Sequence, residues 1–193
     1  MPKLGMEPIR RAALVKATID EIGASGTLDI TVSKIAKRAG MSSALAHHYF
    51  GGKDQIFLAA MRHTLTVYGA EVRGALIMAD NPESRLEAII RAGFTTSNFR
   101  REIVAAWLNF YVLAQSSPQA RRLLTVYQSR LRSNLIYNLR PLIADRAAGA
   151  AERIAGLIDG LYLRRGLDQS DDAGRDATKH VLALLRAELR GQS

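Results

Sequence analysis

Apolar residues recur every three or four positions along this chain, and this spacing restricts its fold more than any other feature. Near the amino end, one helical face carries Ile9, Ala12, Ala13, Ile19 and Ile22. The β-branched residues are scattered and do not alternate with polar ones, as a half-buried strand would require. The pattern therefore predicts an all-α protein.

Residues that start and stop helices divide this periodic pattern into segments. Pro8 suits the first turn of a first helix, which is expected to end near Gly23. Asn81 and Pro82 together form a typical helix start. A long connector helix is expected from Lys53 towards Met78. The later helices are predicted over residues 86–99, 102–114, 118–143, 149–167 and 172–190.

Residues 31–50 predict two short helices joined by a tight turn. Thr31 is a good N-cap for the first of them, and Gly40 can adopt the positive φ that a sharp reversal needs. The second short helix is expected over residues 43–50 and begins with serine. A helix-turn-helix has this form, because its second helix enters the major groove while the first braces it across the backbone. The segment therefore predicts binding to double-stranded operator DNA.

The exposed side of this motif supplies the candidate DNA contacts. Ser42 and Ser43 place hydroxyls beside free backbone N–H groups, and Lys53 is positioned for a phosphate. Ala46 is also expected to face the groove. For each single residue, a purely structural role is an equal alternative. The candidate residues are Thr31, Ser33, Ser42, Ser43, Ala44, His47, His48, Tyr49 and Lys53.

The charge of the chain favours a polyanionic partner. Its formal net charge is +9, and the segment up to residue 53 contains eight basic and four acidic residues. DNA, RNA and an acidic membrane surface all satisfy this charge. No segment approaches the roughly 20 apolar residues that span a bilayer, and the amino end lacks an apolar signal-peptide core. We therefore expect a cytoplasmic protein that does not bind membranes.

Several chemical classes have little support in the sequence. There is no cysteine, which excludes disulfides, thiolate metal sites and cysteine nucleophiles. The four histidines form no His-x-x-x-His pair beside acids, so no metal site is expected. No nucleophile–base pair or phosphate-binding loop is recognisable. We expect neither an enzyme nor a cofactor.

The helix-turn-helix residues resemble a known family. Thr31-Val32, Ile35-Ala36, Ala39-Gly40-Met41-Ser42, His48-Tyr49-Phe50 and Lys53 are similar to the signature of the TetR family of repressors. This resemblance implies a three-helix DNA-binding domain at residues 1–52, followed by a ligand-binding and dimerisation domain at residues 53–193. It also implies a homodimer formed by the last two helices.

A closer resemblance extends along the whole chain. The segments 1–6, 106–110, 130–135 and 157–164 resemble the choline-responsive repressors of this family, which control the genes of glycine betaine synthesis. The resemblance implies that the small-molecule effector is choline. The alternative is another cationic or hydrophobic effector, as in a regulator of efflux.

Aromatic residues in the carboxyl-terminal part are candidates for binding such a cation. A quaternary ammonium would need aromatic faces for cation–π contact and a nearby carboxylate, for which Asp159 and Glu102 are candidates. The candidate effector residues are Glu102, Trp107, Phe110, Tyr111, Tyr127, Asp159 and Tyr162. An aromatic stripe is also a common core pattern, and Asp159 could equally pair with an arginine at a dimer interface.

Two apolar stripes near the carboxyl end have the spacing of either a core or a helical interface. A palindromic operator requires a two-fold dimer, which favours an interface between two copies of this helix pair. The candidate dimerisation residues are Ile154, Leu157, Ile158, Leu161, Val181, Leu182, Leu185 and Leu189.

Overall fold

The computed structural model describes residues 5–166 and 172–191, and helices make up most of this part of the chain. The helices are α1 (Met6–Ser25), α2 (Val32–Arg38), α3 (Ser43–Phe50), α4 (Lys53–Ile77), α5 (Pro82–Gly93), α6 (Arg101–Ser116), α7 (Pro118–Ile143), α8 (Ala147–Gly166) and α9 (Ala173–Arg190), with a 3-10 turn at Ala144–Arg146. No strand occurs within the described ranges. The all-α prediction is confirmed.

Local capping explains why several helices begin where the sequence predicts. The Thr31 hydroxyl accepts a hydrogen bond from the Lys34 backbone N–H at 3.2 Å, and this bond caps α2. Asn81 and Ser84 cap α5 through two hydrogen bonds. The Asn81 side chain accepts from the Ser84 backbone N–H, and the Ser84 hydroxyl accepts from the Asn81 backbone N–H. Gly40 has a φ of +67°, as the tight turn before α3 requires.

One helix boundary and one helix face differ from the predictions, and a second boundary falls outside the described residues. The helix predicted over residues 86–99 is α5, which starts earlier because Asn81 caps it and which ends at Gly93. On α1, Ile9 is 62% exposed, because the first two turns extend beyond the core and the buried face begins at Leu14. The predicted end of α8 at residue 167 lies outside the described residues.

Two hydrophobic clusters form the core, and the first joins the amino-terminal helices to α6. It contains apolar side chains of α1–α4 together with residues of α6 and the start of α7. Helix α1 lies so close to α6 that a Cβ on Gly23 would be 2.6 Å from the Glu102 Cα atom. The Asn109 side chain on α6 also donates a hydrogen bond to the Gly26 carbonyl at 3.2 Å. Helix α1, against which α2 and α3 pack, is therefore packed directly on α6.

The second cluster contains the apolar stripes of α8 and α9, with residues of α4, α5 and α7. Five of the candidate dimerisation residues are at most 5% exposed within one protomer, so these side chains belong to the protomer core. These are Ile154, Ile158, Val181, Leu182 and Leu185. The other three, Leu157, Leu161 and Leu189, are partly buried against the same cluster.

Among the described helices, none combines the length and apolar character needed to cross a bilayer.

Candidate DNA-binding and effector sites

Helix α3 presents a short polar surface at the amino-terminal end of the molecule. The Ser42 hydroxyl caps the helix by accepting the Leu45 backbone N–H at 3.2 Å. Ala44, His47 and His48 are exposed, as are Thr31 and Ser33 at the start of α2; Ser43, Tyr49 and Lys53 are half-buried. Ala46 is completely buried in the first core cluster, so the expectation that it faces a groove is wrong.

Two arginines of α1 support the carboxyl end of α3, and the sequence analysis did not identify them. The Arg11 guanidinium donates to the Tyr49 carbonyl at 2.5 Å and lies 4.5 Å from the centre of the Phe50 ring. The Arg10 guanidinium donates to the Tyr49 hydroxyl at 3.4 Å. These contacts join residues nearly 40 positions apart, so helical spacing contained no signal for them. They hold Tyr49 against α1 and bring positive charge beside α3.

A buried carboxylate joins α1 to α2. Glu21 pairs with Arg38, and its other oxygen lies 3.0 Å from the Lys34 ammonium. The hydrogen bond from Arg38 lowers the pKa of Glu21, an effect that outweighs the opposing effect of burial. These ion pairs therefore add to the apolar contacts that hold α2 against α1.

A cavity of about 530 Å³ lies between α4, α6, α7 and α8, and is called the aromatic cavity below. Its lining is largely apolar and includes five of the seven candidate effector residues. The lining residues are Tyr68, Gly93, Asn98, Trp107, Leu108, Tyr111, Val112, Tyr127, Ile158, Asp159, Gly160, Tyr162 and Leu163. A volume of this size is typical of small-molecule sites.

Two candidate effector residues lie outside the aromatic cavity, and one aromatic lining residue, Tyr68, was not among the candidates. Phe110 is fully buried in the first core cluster, and Glu102 packs against Gly23 of α1. Neither is among the side chains that the structure brings together with Asp159. Tyr68 lines the cavity from α4; its sequence position fits the apolar face of the connector helix, so the pattern indicated core packing only.

The aromatic rings of the cavity contact one another around Trp107. The centre of its indole lies 4.9 Å from that of Tyr127, 6.3 Å from Tyr162 and 6.4 Å from Tyr111. Tyr68 meets Tyr127 edge to face, with 5.6 Å between the ring centres. Several aromatic rings, whose faces are electron-rich, thus line a single space.

Asp159 brings negative charge to this aromatic surface. Among the lining residues of the described chain, none is a lysine or an arginine. Burial raises the pKa of Asp159, and a hydrogen bond from the Tyr111 hydroxyl partly opposes that rise. Burial, followed by the charge of Asp159, raises the pKa of Tyr111 to about 12. A carboxylate in apolar surroundings without a cationic partner creates a site that favours a positively charged ligand.

Hydrogen bonds connect the aromatic cavity to α4. The Tyr162 hydroxyl donates to the Asn98 backbone carbonyl at 2.6 Å, and the Asn98 side-chain amide donates to the Glu71 carboxylate at 2.6 Å. Thr95 and Ser97 also donate to Glu71, at 3.1 and 2.8 Å. The loop between α5 and α6 thus links the cavity wall to α4, the helix that directly follows the helix-turn-helix.

The nature of these two sites agrees with the family models that the chain matches. Residues 82–190 match the model of the BetI-type transcriptional repressor, C-terminal domain, and residues 14–60 match that of bacterial regulatory proteins, tetR family. The chain belongs to the TetR family. It is a TetR-family regulator with a BetI-type carboxyl-terminal domain, and therefore a transcriptional repressor and not an enzyme.

Relatives of this TetR-family regulator match it over most or all of its length. The HTH-type transcriptional regulator BetI of Brucella anthropi is 46% identical over 193 residues and aligns with 100% of both chains. The regulator of the same name from Agrobacterium fabrum is 51% identical over 168 residues, which cover 86% of this chain and 82% of its own.

Solved structures share the fold of this TetR-family regulator. A transcriptional regulator from Pseudomonas aeruginosa PAO1 superposes with a TM-score of 0.83 at 27% identity, covering 98% of this chain and 94% of its own. A transcriptional regulator from Saccharomonospora viridis, solved in complex with choline, superposes with a TM-score of 0.82 at 20% identity; the match covers 91% of this chain and 95% of that one. The TetR-like fold is thus confirmed.

Proposed function

We propose that this regulator is a homodimeric, choline-responsive repressor of the glycine betaine synthesis genes, acting on operator DNA in the cytoplasm. The observation that carries the proposal is Asp159, a carboxylate in an aromatic cavity whose described lining residues include no lysine or arginine. Relatives named BetI and a choline-bound structural neighbour support it. In this proposal residues 1–52 bind DNA, and residues 53–193 bind the effector and dimerise.

The aromatic cavity offers choline both kinds of contact that a quaternary ammonium needs. The trimethylammonium group would lie against the rings of Trp107, Tyr127 and Tyr162, each cation–π contact contributing on the order of 0.5–2 kcal/mol. Asp159 would supply the opposite charge, and Tyr111 would hold its carboxylate in place. The effector residues of the proposal are thus Tyr68, Trp107, Tyr111, Tyr127, Asp159 and Tyr162.

The exposed surface of α2 and α3 would contact the operator. Ser43, Ala44 and His47 lie on the first turns of α3 and would read base edges in the major groove. The remaining candidates would hold the backbone of the DNA through phosphate contacts. These are Thr31, Ser33, Ser42, His48, Tyr49 and Lys53.

Effector binding would change DNA affinity by favouring one spacing of the two recognition helices over another. Two contacts would transmit the change from the cavity: the Asn98–Glu71 hydrogen bond to α4, and the packing of α6 on α1 at Gly23. A coupling of roughly 1–3 kcal/mol is enough to change operator affinity 5- to 150-fold. Choline would therefore lower affinity by preferring the spacing that does not match adjacent major grooves.

A dimer would use the outer faces of α8 and α9, since their apolar stripes are occupied within the protomer. The exposed residues there include Gly156 and Leu163 on α8 and Ala183 and Ala187 on α9. Small side chains allow two helix pairs to approach closely in a four-helix arrangement. The two recognition helices would then lie about 34–36 Å apart on the operator.

A footprint on the promoter of the regulator's own gene, with and without choline, tests the proposal. We expect a protected palindrome that weakens at millimolar choline, and a rise in the melting temperature of the free protein. The same footprint is repeated with a double variant in which alanine replaces Ser43 and His47. The matched control is His63→Ala, at an exposed position on α4. The double variant should lose discrimination between operator and random DNA, while the control keeps it. Choline that changes neither protection nor melting would contradict the effector assignment.

A second candidate effector is a larger hydrophobic cation, as in a regulator of efflux. It is favoured by the largely apolar lining of the 530 Å³ cavity, which exceeds what choline alone would fill. A thermal-shift screen of quaternary ammonium compounds separates the candidates. If choline raises the melting temperature at lower concentrations than bulkier cations do, choline is supported as the effector. If bulkier cations act at lower concentrations, the larger hydrophobic cation is supported.

A further inference from the structure

The aromatic cavity shares a wall with a second space on the other side of α4 and α7. This outer groove has a volume of about 460 Å³ and opens between α4, α5 and α7. Its residues are Leu65, Tyr68, Gly69, Val72, Arg73, Leu76, Ile89, Val126, Tyr127, Ser129, Arg130, Leu131, Ser133 and Asn134. Tyr68 and Tyr127 line both spaces, so these two side chains stand between them.

The two tyrosines form a single packed unit. Tyr68 comes from α4 and Tyr127 from α7, and their rings meet edge to face with 5.6 Å between centres. Burial raises the pKa of both hydroxyl groups. Trp107, which lines the aromatic cavity, also packs against Tyr127, with 4.9 Å between ring centres. The wall is therefore uncharged at neutral pH and braced from the cavity side.

The two spaces differ in charge. Asp159 makes the aromatic cavity attractive to cations, whereas Arg73 and Arg130 line the outer groove. Neither arginine forms a salt bridge with an acid in the described part of the chain, so their positive charges are uncompensated. A cation would thus be attracted to one side of the wall and repelled from the other.

We propose that the Tyr68–Tyr127 pair is a partition that sets the largest effector the aromatic cavity accepts. Removing either ring would join the cavity to the outer groove and nearly double the space available to a ligand. A small quaternary ammonium fits on the Asp159 side, whereas a longer apolar tail meets the two rings. The part of the inference that concerns cations rests on the proposed function, and the size limit holds for any apolar ligand.

Trp107, the single tryptophan of the chain, reports binding through its fluorescence because it lines the cavity. Two series of probes are titrated into the full-length protein: alkyltrimethylammonium ions from tetramethylammonium to decyltrimethylammonium, and 1-alkanols of the same chain lengths. In the wild type, affinity should rise with chain length and then drop beyond a limit. In Tyr68→Ala the limit should lie several methylenes further. Probes beyond the wild-type limit should bind at least about tenfold tighter, because two or more additional methylenes become buried.

Two further variants make the test decisive. Tyr68→Phe keeps the ring and should retain the wild-type length limit, whatever it does to absolute affinity. Tyr127→Ala opens the partition from α7 and replaces Tyr68→Ala if circular dichroism shows that the latter does not fold. An unchanged length limit in the opened variant would overturn the proposal, as would tight binding of the longest probes to the wild type. If the alkanol limit moves while no cation binds, the partition stands and the proposed cation effector is wrong.

Discussion

Asp159 links the chemistry of the effector to pH. Its pKa is raised by burial, so its carboxylate gains a proton at a higher pH than an exposed aspartate does. Only the ionised form attracts a cation. Choline affinity should therefore be constant near neutral pH and fall as the pH drops through the raised pKa. Fluorescence titrations of Trp107 between pH 8 and pH 5 measure this dependence.

The matched variant is Asp159→Asn, which keeps the shape of the side chain and removes its charge. It should bind choline about tenfold or more weakly at pH 7, equivalent to about 1.4 kcal/mol, and show no pH dependence over the same range. In the absence of ligand it should melt at a higher temperature than the wild type, because the ionised carboxylate is costly to bury. Full choline affinity in Asp159→Asn would exclude this residue as the cation partner.

The pKa of Glu21 is shifted in the opposite direction to that of Asp159, and this residue contributes to the stability of the fold. Hydrogen bonding to Arg38 lowers its pKa, so its contribution to stability is complete above the unfolded-state pKa and is lost as the pH falls through the lower folded value. Glu21→Gln should reduce the free energy of unfolding at pH 7 by about 1.5–3 kcal/mol, the range for hydrogen bonds to charged groups. Urea denaturation at pH 7 and pH 4 measures both effects.

Exposed Glu83→Gln on α5 is the control for Glu21, and its change should stay within about 0.5 kcal/mol. The decrease in the free energy of unfolding caused by Glu21→Gln should also be smaller at pH 4 than at pH 7. The wild-type carboxylate begins to be protonated at pH 4, so the wild type itself loses part of the ion pair there. Equal stability of Glu21→Gln and the wild type at pH 7 would mean that the α1–α2 ion pair contributes nothing to the fold.

At the scale of helices, the contact between α1 and α6 depends on the absence of a side chain at residue 23. A Cβ there would meet the Glu102 backbone at 2.6 Å, so the two helices would have to separate. Gly23→Ala should lower the free energy of unfolding by about 1–3 kcal/mol through overpacking. Gly74→Ala on α4 is the matched control. It meets no atom within 4 Å, and it should stabilise the protein by about 0.5–1 kcal/mol.

Chemical denaturation of both glycine variants checks this contact. The two substitutions add the same methyl group to a helix, so a difference in sign isolates the steric effect at the α1–α6 interface. A neutral or stabilising Gly23→Ala would show that α1 and α6 can separate without cost. That result would remove one of the two routes proposed between the cavity and the DNA-binding helices.

Helix starts and turns could be predicted because their causes are local. Asn81 and Thr31 cap helices through bonds to residues three positions away, and Gly40 reverses the chain by its own conformation. Contacts between distant helices could not be predicted in this way. The Arg11–Tyr49 bond and the approach of Gly23 to Glu102 depend on how helices cross, and helical spacing does not contain that information.

In the candidate effector site, too, some residues could be predicted from their type, whereas the direction of a side chain in the fold could not. Trp107 and Asp159 were identified because their residue types suit a cation, and both line the cavity. Phe110 follows Trp107 by three positions, yet it does not line the cavity, because this spacing turns its direction around the helix by about 60° relative to Trp107. The stripes of α8 and α9 were ambiguous for a related reason: an apolar stripe of this spacing suits a protomer core as well as a dimer interface.

At the scale of the whole molecule, the proposed dimer is tested on the outer face of α9. Ala183→Arg places a long charged side chain where two copies would approach, and it should shift the protein towards monomer at micromolar concentration. Ala70→Arg, on the exposed side of α4, is the control and should leave the mass unchanged. Size-exclusion chromatography with light scattering measures both masses. A wild-type mass of one protomer, or a dimer that survives Ala183→Arg, would contradict the proposed interface.

The most direct test of the whole account is the affinity of the regulator for its own promoter DNA, measured by fluorescence anisotropy across a choline titration. For the wild type, choline should weaken binding by a factor between about 5 and 150, and the response should saturate as the cavity fills. Asp159→Asn should bind the same DNA equally well without choline and require at least about tenfold more choline for the same effect. Wild-type binding that choline leaves unchanged, or an Asp159→Asn response identical to the wild type, would contradict the account.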